Sequence, residues 1–376
     1  MSTPLSPTAL TARLTIACTG GSPPTSDSMT VVGETMTAYR IVSWGQPPRL
    51  STAPVPEPGP GEVLVEVVGN GLCHSDVDMA AMPAEIAEAL GWSLPFTLGH
   101  EVGGRIAALG PGVSGFAVGE GVALVSPASC GTCPACRRGQ DSACPNGLAG
   151  RGYGRDGGLA RYVVAPAPRG LVRLSGLDPL VAGPLTDAGA TSHHAVARVL
   201  PHLGDSEATA VVVGAGGLGA FAVQLLRALS PARVVAVDPN PARQAVALDL
   251  GAHEAVPALG DAVAPGSAAA VLDLVGTDDT ILAGLAAVRP YGAFGLVGAA
   301  GGRLRRPWFG TLPRDAEVFT FQGSNIADVE AVVALAEAGR IRSEVDVFPL
   351  ARVAEAYEAL ARGELRGRAV VTPDDD

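Results

Sequence analysis

The stretch Ala210-Val211-Val212-Val213-Gly214-Ala215-Gly216-Gly217-Leu218-Gly219 reads as a buried apolar strand running directly into a G-x-G-x-x-G turn. A helical apolar pattern follows over 218–229, then a second strand over 233–237 that ends at Asp238. The glycines divide the work of this turn. The first makes the tight bend, the second admits a pyrophosphate to the backbone, and the third lets helix and strand pack closely. The helix N-terminus then holds the phosphates. Asp238, nineteen residues after Gly219, is placed to accept hydrogen bonds from an adenosine ribose. Its charge would repel a 2′-phosphate, so NAD is expected over NADP, with Arg243 five residues on softening that preference. Gly214, Gly216, Gly217, Leu218, Gly219, Asp238 and Arg243 are thus predicted to contact the cofactor.

Outward from this turn, helix over 241–250 and strands over 271–275 and 293–297 continue a strand–helix alternation that implies right-handed crossovers and a parallel sheet. Towards the N-terminus the texture is different. Alternating apolar patterns at 63–68, 102–109, 121–125 and 160–164, punctuated by Gly and Pro, predict a β-rich, barrel-like domain. The last fifty residues carry amphipathic helices near 327–338 and 351–362, then a strand at Arg368-Ala369-Val370-Val371 suited to return to the first domain. Residues 1–35, rich in Ser, Thr, Pro and Gly, predict a disordered leader, or a start codon placed too early.

Composition narrows the function. A chain of 376 residues, 47% hydrophobic and 17% charged, predicts two domains. A net charge of -11 without a basic run makes nucleic acid and anionic membranes poor partners. All 26 basic residues are Arg, which excludes Schiff-base lysines, a P-loop lysine and Tyr/Lys reductase pairs. The uncharged run 208–226 has the length of a membrane span, but its four glycines favour strand, turn and helix. Leu10 to Cys18 is too short, and too interrupted by Arg13, for a signal peptide, so a cytoplasmic location is expected.

Four of the six cysteines fall in Cys130-x2-Cys133-x2-Cys136-x7-Cys144. In a cytosolic setting this spacing predicts a closed, structural tetrathiolate metal site, with an iron–sulfur cluster as the alternative. A second, dispersed set is Cys73, His100 and Asp187: thiolate, imidazole and carboxylate, three donors that would leave a fourth position open. Each has a plainer reading as buried Cys, core His and helix N-cap. Spacing alone does not join Asp187 to the other two.

With GLCHSD (71–76), TLGHEVGG (97–104), CGTCPACRRGQDSAC (130–144), GPLTDAGAT (183–191), VVVGAGGLG (211–219), AVD (236–238) and GRAVV (367–371) in order, the chain resembles the zinc-dependent medium-chain dehydrogenase/reductase superfamily. The resemblance lies in its alcohol dehydrogenase branch and covers roughly 36–372. Within that branch it looks like bacterial NAD-dependent secondary alcohol dehydrogenases whose third catalytic-zinc ligand is Asp.

The resemblance implies an α/β fold: a GroES-like catalytic domain over 36–186, a Rossmann doubly wound parallel sheet over 187–323, and a return to the catalytic domain over 324–376. It implies a catalytic zinc on Cys73, His100 and Asp187, with Glu101 as an acid able to approach the metal, and a structural zinc on Cys130, Cys133, Cys136 and Cys144. Ser75 matches the relay hydroxyl and Asp76 the carboxylate that orients the ligand histidine. Thr191, Val297 and the Gly323-Ser324 region fall at the nicotinamide, and Arg368 at the pyrophosphate. The implied activity is hydride transfer between a secondary alcohol, or the corresponding ketone, and NAD, in a homodimer or homotetramer. A biosynthetic reductase of C=C or C=N bonds and a non-catalytic zinc module are the rivals.

Departures from the family pattern concern the substrate. Asp78 stands where relatives carry His or a large apolar residue, and His74, next to the relay, reads equally as a substitute there or as a solvent-facing ring. Gln322 stands where an aromatic would narrow the cleft, and Arg161 replaces an acid. Met79, Met82, Trp92 and Phe96 occupy a slightly lengthened segment, and one or two of them are expected to line the pocket. Asp78 and Gln322 together point to a larger or more polar substrate than a simple alkanol.

Overall fold

The computed structural model describes residues 34–373. β1 (Thr35–Ile41) and β2 (Arg49–Pro54) pair antiparallel. β3 (Glu62–Gly71) is the hub of a larger sheet, and α1 (His74–Ala80) follows it directly. After β4 (Phe96–Thr97), which pairs with β1, come β5 (Glu101–Leu109), β6 (Gly121–Leu124), β7 (Tyr162–Pro166) and β8 (Leu171–Arg173). β3 pairs with β5 on one side and, through its first half, with β7 on the other. Its alternating valines Val63, Val65 and Val67 enter one core with Val102, Ile106, Val122 and Leu124, as a period-two pattern requires. Residues 1–33 of the expected leader lie outside the described residues, and Thr35 already opens β1.

The second half alternates α2 (Ala188–Val199), β9 (Thr209–Val213), α3 (Gly217–Leu229), β10 (Arg233–Val237), α4 (Pro241–Asp249), β11 (Glu254–Val256), β12 (Ala268–Asp273), α5 (Asp278–Ala287), β13 (Val288–Leu296) and β14 (Glu317–Thr320). The sheet is parallel, in the order β11-β10-β9-β12-β13-β14, so strand order reverses between β9 and β12. That reversal opens a crevice at the carboxyl ends of the strands. On β9, Ala210 and Val212 enter the core on one face while Val211 and Val213 enter the core on the other. Burial on both faces explains the uninterrupted apolar run.

Two strand boundaries differ from the sequence reading. The strand expected over 271–275 spans Ala268–Asp273, because the Asp273 carboxylate accepts the N–H groups of Val275 (3.0 Å) and Gly276 (2.9 Å) and folds the chain into a turn. The strand expected over 293–297 is the longer β13.

The C-terminal segment forms α6 (Ile326–Glu337), β15 (Val345–Pro349), α7 (Val353–Arg362) and β16 (Arg368–Thr372). The first turn of the helix expected from 351 is 3-10, Leu350–Arg352, and α7 closes on Gly363 in the left-handed region. β16 pairs parallel with β15 and antiparallel with β3, so the chain does return to the first sheet. Among the described residues no helix is long and apolar enough to cross a membrane.

Candidate active site

The end of β3 delivers Cys73 to the N-cap of α1, and the Asp76 carboxylate accepts the Cys73 N–H (3.0 Å). The other Asp76 oxygen lies 3.2 Å from His100 Nδ1, so one buried carboxylate fixes both the thiol's backbone and the ring. His100 Nε2 faces the Asp187 carboxylate at 3.6 Å and the Ser75 hydroxyl at 3.4 Å. Asp187 occupies the N-cap position of α2 without capping it. Its side chain turns to His100 instead, and Thr191, one turn along, donates to it (3.4 Å). The donor atoms of Cys73, His100, Glu101 and Asp187 all lie within 4.8 Å of one another. Three residues that spacing could not join thus converge on one point.

The donor set suits a cation. Burial opposes a charged His100, but Asp76 and Asp187 outweigh it and hold its pKa well above normal. Burial likewise works against an ionised Asp187, and His100 overrides it and holds that pKa down. The two shifts share one cause, the attraction between the His100 ring and the Asp187 carboxylate, and metal binding at such a pair is coupled to its protons. Thiolate, imidazole and carboxylate are the ligands zinc takes, and three of them leave a position free.

Glu101 is fully buried and pairs with Arg368, whose guanidinium also donates to the Leu72 carbonyl (2.8 Å). Burial pushes the Glu101 pKa up to about 7 although Arg368 pulls it down. The family resemblance puts Arg368 at a pyrophosphate. It is seated between Glu101 and the glycine turn, where a Cβ at Gly217 would run into its guanidinium. Sequence reasoning also missed Tyr357 of α7. It stacks on Tyr39 (ring centroids 5.8 Å apart), and burial together with the Asp76 charge holds its pKa well above normal.

A cavity of about 1340 Å³ runs from Cys73, His100 and Asp187 past the glycine turn to Asp238. Gly214 has φ +90°, and a Cβ at Gly219 would strike the Gly214 carbonyl. Only glycines permit this turn. Asp238 accepts the N–H groups of Ala215 and Asn240 (2.9 Å each), and Arg243 lies 3.7 Å from it. Leu218, Thr191 and Val297 lie in the walls of this cavity. Ser324 is buried, and the walls include Gln322 and Gly323 rather than Ser324. His74, read from sequence only as a relay substitute or a solvent-facing ring, lines the groove. Its pKa is lowered by burial and by Arg368 and Arg243. Met79, Met82, Trp92 and Asp78 line the substrate end, whereas Phe96 packs in the core. Arg161 pairs with Glu66 (3.3 Å).

The four remaining donors also converge. Cys130 and Cys136 sulfurs are 4.0 Å apart, and those of Cys133 and Cys144 3.9 Å. Four sulfurs at zinc–thiolate distance around one ion lie about 3.8 Å apart, closer than a cluster with several irons between the thiolates would allow. N–H groups of Cys133, Cys136 and Cys130 point at sulfurs (3.3–3.4 Å), and Thr132 and the Cys133 N–H pull the Cys130 thiol down to about 5.

Residues 59–176 match the family described as alcohol dehydrogenase GroES-like domain, and residues 217–338 the one described as zinc-binding dehydrogenase. The NAD-dependent alcohol dehydrogenase of Sulfurisphaera tokodaii is 34% identical over 90% of this chain and 100% of its own length. This chain belongs to the alcohol dehydrogenase branch of the zinc-dependent medium-chain dehydrogenase/reductase superfamily. In this branch the D-arabinose 1-dehydrogenase (NADP(+)) of Saccharolobus solfataricus is 31% identical over 89% of this chain and 97% of its own length. The alcohol dehydrogenase of Aeropyrum pernix has a similar structure (TM-score 0.82, 32% identity, 90% and 100% of the two chains covered). The medium-chain alcohol dehydrogenase fold thus accounts for both the barrel-like half and the doubly wound sheet.

Proposed function

We propose that this alcohol dehydrogenase interconverts a secondary alcohol and its ketone with NAD, using one zinc at Cys73, His100 and Asp187 and a second, structural zinc in the four-cysteine lobe. The reading is carried by one observation: Cys73, His100 and Asp187 meet at the head of the groove that begins at the Gly214–Gly219 turn. When bound, the cation supplies Lewis acidity to the alcohol oxygen and the nicotinamide ring accepts the hydride.

The chain's own residues do the rest. Asp76 holds His100 by Nδ1, which presents the Nε2 lone pair to the donor set. The Ser75 hydroxyl, on the Nε2 edge of that ring, takes the alcohol proton and passes it towards Asp78, one turn along α1 in the cavity wall. Asp238, anchored by two backbone N–H groups, favours NAD, in keeping with the name of the Sulfurisphaera relative. The NADP(+) in the name of the Saccharolobus relative gives Arg243 its significance beside Asp238. An apolar wall of Met79, Met82 and Trp92 facing polar Asp78 and Gln322 supports a bulky or hydroxylated alcohol rather than a short alkanol.

A second copy of the chain fits the open sheet edge at β14, where Val318 is exposed and Trp308 and Phe309 stand out from the preceding loop. Four free thiols clustered without a disulfide suit a reducing cytoplasm.

Metal analysis with an NADH absorbance screen over secondary alcohols and ketones tests the proposal. Two zinc per chain are expected, with Cys73→Ala losing one zinc and all turnover. One zinc per chain, with turnover indifferent to that substitution, would favour the C=C or C=N reductase reading.

A further inference from the structure

The four-cysteine lobe and the Cys73–His100–Asp187 set are linked by a run of polar contacts that neither needs for its own donors. Between Cys136 and Cys144 the turn Asp141–Ala143 presses on the N-terminus of α6. One Asp141 oxygen accepts the Ile326 N–H (3.2 Å) while the other pairs with Arg169. The Asn325 side-chain oxygen accepts both the N–H and the hydroxyl of Ser142 (3.2 and 3.3 Å). The Asn325 N–H in turn donates to Asp328 (2.9 Å). The buried Asp328 carboxylate then receives Nδ1 of His193 (2.7 Å) and Nδ1 of His194 (2.9 Å), both on α2, the helix whose N-cap is Asp187.

Successive residues of a helix point about 100° apart, so two adjacent rings meeting one carboxylate fix both the rotation and the axial position of α2 against α6. A single contact would leave one of these free. The Asp187 side chain does not cap α2, so its direction is set by where the helix begins and by Thr191.

We propose that Asp328, through His193 and His194, is a positioning residue that sets Asp187 in register with Cys73 and His100, and that it takes its reference from the four-cysteine lobe. This rests on the reading that both donor sets hold zinc. A wild-type chain carrying fewer than two zinc would refute that reading before the link is tested.

The test follows zinc release from the full-length, zinc-loaded protein to a chromogenic chelator. The release phase missing in Cys73→Ser is assigned to the catalytic set. Asp328→Asn is expected to speed that phase about tenfold, the lower end for residues behind metal ligands, and to leave the four-cysteine phase unchanged. His193→Gln and His194→Gln should each shift it less, in the same direction. Cys144→Ser, which disables the lobe, should speed the Cys73-dependent phase too. An unchanged Cys73-dependent phase in these variants, or equal acceleration of both phases in the Asp328 and histidine variants, overturns the link and leaves Asp328 a merely structural residue. Should Asp328→Asn fail to fold, the two histidine variants decide by the same criterion.

Discussion

Replacing Arg368 by Ala removes the charge partner of a fully buried carboxylate. Glu101 is fully buried, and its pKa of about 7 compares with an ordinary 4.5. In the metal-stripped wild type above pH 7, both the native and the unfolded chain have lost this proton, so Glu101 adds no pH dependence there. Without Arg368 the native pKa climbs further. The native state then keeps a proton that the unfolded state has released, and stability must fall as pH rises. The slope is about 1.4 kcal/mol per pH unit from pH 7 up to the new pKa. Loss of the donor to the Leu72 carbonyl adds a pH-independent cost of about 1 kcal/mol. Denaturant midpoints at pH 6, 7, 8 and 9 for wild type, Arg368→Ala, Glu101→Gln and the double variant measure this. The gap between wild type and Arg368→Ala should widen above pH 7, and the double variant should show no such slope. A gap constant from pH 6 to 9 would refute the argument that Arg368 holds Glu101 ionised.

Three further outcomes are expected. Gly219→Ala drives a Cβ into the Gly214 carbonyl and pushes α3 off β9, so the NAD dissociation constant, read by fluorescence titration, should rise at least about tenfold. Asp238→Ala leaves the buried Ala215 N–H unpaired, costing about 1–3 kcal/mol in a thermal or denaturant assay, and the half-exposed Asn240 N–H adds less because water can reach it. The same variant should raise the NADP-to-NAD ratio of kcat/KM, and an unchanged ratio would show that this carboxylate does not select the cofactor. Asp76→Asn removes the charge that aligns His100, and chelator competition should show catalytic-zinc affinity falling about 10- to 100-fold.

Legibility in the sequence followed how local the physics is. The glycine turn, its strand and Asp238 lie within thirty residues, and the backbone needs of that turn leave little choice of residue type, so its placement could be read directly. The tetrathiolate lobe is equally local. Asp187 is the opposite case: its position at a helix start advertises a cap, and only tertiary approach turns it to His100. Its assignment comes from the family resemblance rather than from spacing. The Glu101–Arg368 pair joins residues 267 positions apart, and no periodic signal announces such a contact. The strand ending at Asp273 is misplaced by the sequence reading because its carboxylate bonds the next turn, a side-chain effect that apolar periodicity does not register. Phe96 and Trp92 look alike in sequence. Trp92 reaches the cavity, its indole N–H held by the Leu148 carbonyl (2.8 Å), while Phe96 fills the core.

The pairing of β3 with β16 also bears on how the molecule is made. Arg368 meets Leu72 across 296 positions, so β16 leaves a ribosome long after the β3 strand it pairs with. The doubly wound sheet, built from neighbouring segments, can assemble while synthesis continues. The barrel-like half must wait with an open edge at Asn70 and Gly71 until β16 arrives. Premature termination before Arg368 would therefore leave a chain with its nucleotide-binding half assembled and its reaction centre unable to close.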